Sequence, residues 1–94
     1  MERDLHGQLA SASAAVAANI AEGFGQQSDR QFVRYLYIAR GSAQEVRAHC
    51  AIALGRGCVT ESEKVELSRQ YEEIVRMLTG LIKYLRVSDR KQRG

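Results

Sequence analysis

Apolar residues recur along this chain at steps of three and four in three long runs, separated by two short polar interruptions that contain glycine. In the first run Leu5, Leu9, Ala12, Val16 and Ile20 form a stripe of helical period. Between them lie Ala10, Ala14, Ala15, Ala17, Ala18 and Ala21, which favour helix and leave a slim surface that a second helix can approach closely. Gly23 and Gly25, on either side of Phe24, predict a left-handed stop. Ser28-Asp29-Arg30-Gln31 then reads as a capping box that opens a second helix. Its stripe is Phe32, Leu36, Ala39, Ala43, Val46, Cys50 and Ala53, alternating steps of four and three, a period that favours packing at shallow angles. Tyr35, Tyr37 and Ile38 widen the stripe, so this helix is expected to meet more than one neighbour.

Gly55-Arg56-Gly57 ends the second run, and Thr60-Glu61-Ser62-Glu63 is a second capping box. The third stripe is Leu67, Tyr71, Ile74, Leu78, Leu81 and Leu85, flanked by Val75 and Ile82. Glu72 and Arg76 are spaced for a favourable pair one turn apart. By Val87-Ser88-Asp89 the periodicity is lost. These signals predict a single all-α domain over 1–94, an antiparallel up-down helical bundle. Its helices fall at about 4–23, 29–54 and 61–86, with a basic tail over 87–94. Each helix is roughly 30–39 Å long at 1.5 Å per residue, and no strand pattern competes.

Two runs interrupt the apolar faces with polar groups and a glycine: Asn19-Ile20-Ala21-Glu22-Gly23 and Ile38-Ala39-Arg40-Gly41-Ser42. A polar group buried without a partner costs about 1–3 kcal/mol, so the two runs are expected to face one another. Asn19, Glu22, Arg40, Ser42 and Glu45 then form a structural polar network, with Glu22 and Arg40 as a charge-assisted clamp between helices. The competing reading makes that junction a site for a ligand or partner. Gly41 is expected to admit the close backbone approach, offsetting the roughly 0.8–1 kcal/mol that glycine costs a helix.

Composition adds limits. The 94 residues are 45% hydrophobic, with no Pro and no Trp, which suits long uninterrupted helices. The sequence holds no apolar run of the roughly 18 residues a membrane span needs and no signal peptide, so a cytoplasmic protein is expected. Cys50 and Cys58 match neither a zinc-knuckle spacing nor a disulfide framework and are expected to be reduced, packed thiols. The net charge of +3 resides at the C-terminal end, in Arg86, Arg90, Lys91 and Arg93. Such a tail suits contact with polyanions, and equally a solvated, disordered end. Arg30 and Arg34, close to Tyr35 and Tyr37, offer a second basic surface on which single-stranded bases could stack. Arg30, Arg34, Arg86, Arg90, Lys91 and Arg93 are therefore the candidate nucleic-acid contacts.

Enzymatic chemistry finds little support. Ser42, Glu45 and His49 share a helix face, but Ser42 and His49 stand about 10 Å apart along the axis, against the roughly 3 Å a proton transfer needs. Glu45 and His49 can pair locally. His6, His49, Cys50 and Cys58 offer no two-ligand helical pair for a metal. No phosphate-binding loop is present, so no enzyme activity and no cofactor are expected.

Between Leu5 and Leu85 the chain resembles the small bacterial "four helix bundle protein" family, whose members include proteins encoded in intervening sequences of large-subunit ribosomal RNA genes. It is also similar to the accessory protein of diversity-generating retroelements. The resemblance is carried by Gln8-Leu9, by Asn19-Ile20-Ala21-Glu22-Gly23, by Phe32, by Ile38-Ala39-Arg40-Gly41-Ser42 with Glu45, and by Met77-Leu78 and Leu81-Ile82. It implies that the three helices match the last three of a four-helix bundle, that the bundle assembles into a ring-like homopentamer, and that its partners are RNA or DNA. The family's usual first helix has no counterpart upstream of Leu5, which would leave an apolar groove open. Ala10-Ser11 stands where the family often has two arginines, and Gln26 and Gln27 where it commonly has one. The expected function is a non-enzymatic, self-associating module that accompanies nucleic acid. A protein–protein scaffold with no nucleic-acid role is the alternative.

Overall fold

In a computed structural model, which describes the backbone of residues 3–93 and the side chains of 7 and 9–91, the chain is all helix and turn. Three helices follow in order, α1 (Arg3–Phe24), α2 (Asp29–Gly55) and α3 (Glu61–Arg93). Leu5, His6 and Arg93 lie on these helices, but their side chains fall outside the described residues.

Each boundary has a chemical cause. The Ser28 hydroxyl accepts from the Gln31 amide at 3.2 Å and opens α2. At α3 the capping box is reciprocal: the Glu63 amide donates to the Thr60 hydroxyl at 3.1 Å, and the Thr60 amide donates to the Glu63 carboxylate at 3.0 Å. The left-handed stop belongs to Gly57, with φ of 76°, and not to Gly23 or Gly25. There the Cys58 amide reaches the Ala53 carbonyl and the Gly57 amide reaches that of Leu54, the double bond of a glycine-terminated helix.

The third helix does not stop at 86. It runs on to Arg93, so the segment expected as a loose basic tail is the last two turns of α3. Loss of apolar periodicity there signals only that nothing remains to be buried. Arg86, Arg90, Lys91 and Gln92 are good helix formers, and cations are favoured at the negative end of the helix dipole.

The helices are antiparallel and α2 is central. Arg86, Thr79 and Glu72 of α3 meet Tyr37, Arg40 and Arg47 of α2 in descending order. Helix α2 packs on both neighbours, while among the described residues no Cα of α1 comes within 8 Å of one in α3. Val33, Leu36, Ala39, Ala43, Val46, Cys50 and Ala53 of α2 are its buried column. Val33 takes the place expected for Phe32, which is half-buried and meets Phe24 edge to face at 6.2 Å. Leu9 and Val16 from α1, Val59 from the turn between α2 and α3, and Tyr71, Leu78, Ile82 and Leu85 from α3 complete the core among the described residues. The side chains of Ser13 and Tyr71 hydrogen-bond through their hydroxyls and tie α1 to α3 directly.

The result is a long, thin layer of 53 × 19 × 14 Å between Cα extremes, with a radius of gyration of 15.5 Å. A compact chain of this length would have a radius near 12 Å. Small core residues allow the thinness, since Ala39 and Ala43 at the centre of α2 are fully buried and let its neighbours sit close.

Candidate nucleic-acid interface

The expected polar network does not assemble. Arg40 turns toward α3, where its guanidinium donates to the Thr79 hydroxyl at 3.1 Å and lies 4.9 Å from the centroid of the Tyr37 ring. Glu22 is exposed on α1. The Asn19 amide donates to the Ala15 carbonyl of its own helix at 2.8 Å. Among the described residues, Ser42 and Glu45 make no side-chain hydrogen bond to either run. Register explains this. Only residues 25–28 join α1 to α2, so levels match outward from that turn. Glu22 is about 3 Å from the end of α1 and Arg40 about 16 Å from the start of α2 along their axes. They stand at different heights.

The close approach exists, but at Gly23. A Cβ there would lie 2.7 Å from Phe32 Cδ1 and 2.8 Å from Tyr35 Cβ, whereas one on Gly41 would meet nothing within 4 Å. The turn explains this too, since it holds the last residues of α1 against the first two turns of α2.

What the sequence keeps far apart, the hairpin of α2 and α3 joins. Arg30 from the first turn of α2 and Arg86 and Arg90 from the last turns of α3 line one shallow groove of about 310 Å³, together with Val33 and Asp89. Arg86 is held in place, donating to the Tyr37 hydroxyl at 3.0 Å. Arg90 Nε reaches the Arg86 carbonyl at 3.4 Å. Tyr37 thus carries Arg40 at its ring and Arg86 at its hydroxyl, a link between the two helices that its position in the sequence does not reveal. Arg34 stands exposed one turn after Arg30. Lys91 lies elsewhere, lining a separate shallow groove on α3 with Tyr84, Val87 and Ser88.

Charge is segregated along the layer. The end holding the arginine groove also carries Arg34, Arg40, Arg76 and Lys83, against the acids Glu22, Asp29 and Asp89. At the other end α3 bears Glu61, Glu63, Glu66, Glu72 and Glu73. These acids are partly neutralised locally: Arg69 bridges Glu66 at 2.8 Å and Glu73 at 3.2 Å, and Arg47 reaches Glu72 at 3.1 Å. The Glu66 carboxyl is held below the usual carboxylate range by the hydrogen bonds from Arg69 and Gln70. At the basic end the start of α2 and the finish of α3 set opposed helix dipoles side by side, which largely cancel. The side chains therefore supply the field.

Other chemistry is sparse. Cys50 and Cys58 are thiols, not joined as a disulfide, and burial pushes that of Cys50 up. Among the described residues no three of His, Cys, Asp and Glu come together as a metal site. No described helix is long and apolar enough to cross a membrane.

A layer of three long antiparallel helices with charge gathered at one end defines a helical-bundle protein that carries an arginine groove on its surface. The chain belongs to the 23S rRNA-intervening sequence protein family, whose model matches residues 2–80. No curated protein matches it. The family match ends before Arg86, so the α3 wall of the groove lies beyond it.

Proposed function

We propose that this protein is a non-enzymatic, self-associating helical module that accompanies nucleic acid in the cytoplasm and holds it at the basic end of the α2–α3 hairpin. One observation carries the reading: Arg30 and the pair Arg86 and Arg90, 56 or more positions away in sequence, converge on a single groove whose lining holds one acid, Asp89, so that positive charge is in excess there. The ribosomal RNA connection in the family's description favours RNA as that anion. A single groove offers a few phosphate contacts, in the range of sequence-independent affinities of about 10⁻⁴–10⁻⁶ M. Several copies on one rigid assembly raise the avidity by about 10²–10⁴ when a strand spans them.

Self-association is supported by unpartnered surface. Met77 and Tyr84 of α3 are 73% and 70% exposed and share one face with Val87. The exposed side of α1 is a run of Ala10, Ala14, Ala17, Ala18 and Ala21. A knobbed face and a slim one on different helices suit head-to-tail contacts, which close into rings, and a homopentamer is the ring that the family resemblance implies. The same α3 stripe favours a second reading, a scaffold for a different protein.

Two measurements test the proposal. Electrophoretic shift of a pool of single- and double-stranded RNA across a salt series is expected to show binding that weakens steeply with salt. Absence of binding, or indifference to salt, rejects the nucleic-acid role. Light scattering is expected to give a multiple of the 10.5 kDa chain mass, and a monomer rejects self-association.

A further inference from the structure

We propose that the groove walled by Arg30 on α2 and by Arg86 and Arg90 on α3 takes one sugar–phosphate strand, making the protein selective for single-stranded over duplex nucleic acid. The inference rests on the nucleic-acid reading above and narrows it.

Convergence is the first argument. The cations stand on facing walls of one groove set by α2 and α3, and packed helices run with axes about 8–10 Å apart. They line a shared volume of about 310 Å³, the small end of the range for ligand pockets and on the order of one nucleotide. A surface made for duplex must instead reach two backbones, flanking a major groove about 12 Å wide in B-form DNA or the wide, shallow minor groove of A-form RNA, which calls for cations that diverge. The whole layer is only 19 Å across its three helices.

Lining is the second argument. Val33 forms part of the groove wall, and one turn further along α2, just outside the lining, Tyr37 is 40% exposed, with Arg40 over one face of its ring. An apolar wall and an aromatic ring give nothing to the outside of a duplex, whose base faces are stacked away. They accept the ribose or the open base face of a single strand. Arg86 is positioned before any ligand arrives, because the Tyr37 hydroxyl accepts its hydrogen bond. That lowers the ordering cost on binding.

The experiment is fluorescence anisotropy with a labelled oligouridylate of about twelve nucleotides, an RNA duplex of the same length, and a glutamate-rich peptide, each titrated over a salt series. The single strand is expected to bind at least about fivefold more tightly than the duplex, with three phosphate contacts giving a log–log salt slope near −2. Arg90→Gln and Arg30→Gln are each expected to weaken it about tenfold, as loss of one charge-assisted bond does. Each should flatten the slope by about 0.7. Lys64→Gln removes the same charge about 33 Å away along α3 and is expected to change nothing. Arg86→Gln also loses the Tyr37 bond, so its folding is checked by thermal melting.

Equal or tighter duplex binding overturns strand selectivity and leaves the broader nucleic-acid role standing. Single-strand binding untouched by Arg30→Gln and Arg90→Gln overturns the groove. Binding of the peptide alone, or of no probe, overturns both readings together.

Discussion

Gly23 and Tyr35 touch so closely that a Cβ on the glycine would sit 2.8 Å from the Tyr35 Cβ. Tyr35 Cβ is anchored to the backbone and cannot swing aside, so α1 would have to move. Gly23→Ala is therefore expected to destabilise the fold by about 1–3 kcal/mol, outweighing the roughly 0.8–1 kcal/mol alanine contributes to helix propensity. Gly41→Ala meets nothing and should stabilise by about 0.5–1 kcal/mol. Urea denaturation of the two variants is expected to shift the midpoint in opposite directions.

Arg40 is bonded to Thr79 and stacked at Tyr37, while Glu22 is exposed. Arg40→Ala should cost about 1–2 kcal/mol from the lost charged hydrogen bond and ring contact. Glu22→Ala should stay within about 0.5 kcal/mol of the parent. Equal losses from both in thermal or urea unfolding would restore the clamp between the two polar runs.

The cap of α3 makes stability sensitive to acid. The Glu63 carboxylate is held below the ordinary glutamate range, chiefly by the Thr60 backbone amide. A folded value lower than the unfolded one means the stabilisation is complete above the unfolded value of about 4.3. It is lost as pH falls through the lower folded value. Unfolding followed from pH 6 to pH 3 should show this loss reduced in Glu63→Gln, whose amide still reaches the Thr60 backbone but does not titrate. Thr60→Ala should cost about 1 kcal/mol at every pH.

Met77 and Tyr84 are open to solvent in the single chain, so replacing both by lysine should alter monomer stability by no more than about 0.5 kcal/mol per site. If this stripe is the contact between copies, the double variant should run as a smaller species in light scattering while melting cooperatively. Unchanged mass would move the contact elsewhere.

Cys50 is fully buried and its thiol is pushed up by desolvation, whereas Cys58 is only half-buried. An aromatic disulfide reagent should label Cys58 first in the native protein. Cys50 should react at a rate set by unfolding, and faster Cys50 labelling would mean that the centre of α2 opens locally.

The helices and most of their core were legible because periodicity and capping are local. Ser28 with Gln31 and Thr60 with Glu63 start helices within one turn of themselves, and the column Leu36, Ala39, Ala43, Val46, Cys50 and Ala53 is buried as its spacing requires. The end of α3 was misjudged because an apolar stripe reports burial, and helix persists wherever residues tolerate it. The arginines were individually visible. Their grouping was not, since Arg30 and Arg90 are brought together only by a long hairpin, and Lys91 is turned to another groove of α3 by the angle of the helix.

The sequence by itself determined three amphipathic helices, their order and their caps, because those depend on contacts within a turn or two. Tertiary structure decided which faces met. A turn of only residues 25–28 set the height of α1 against α2, moving the tight contact to Gly23 and giving Arg40 to Thr79 instead of Glu22. The second turn laid the finish of α3 beside the start of α2 and so made the groove. Register between helices is a sum over many weak side-chain contacts and loop geometry, and no single residue announces it.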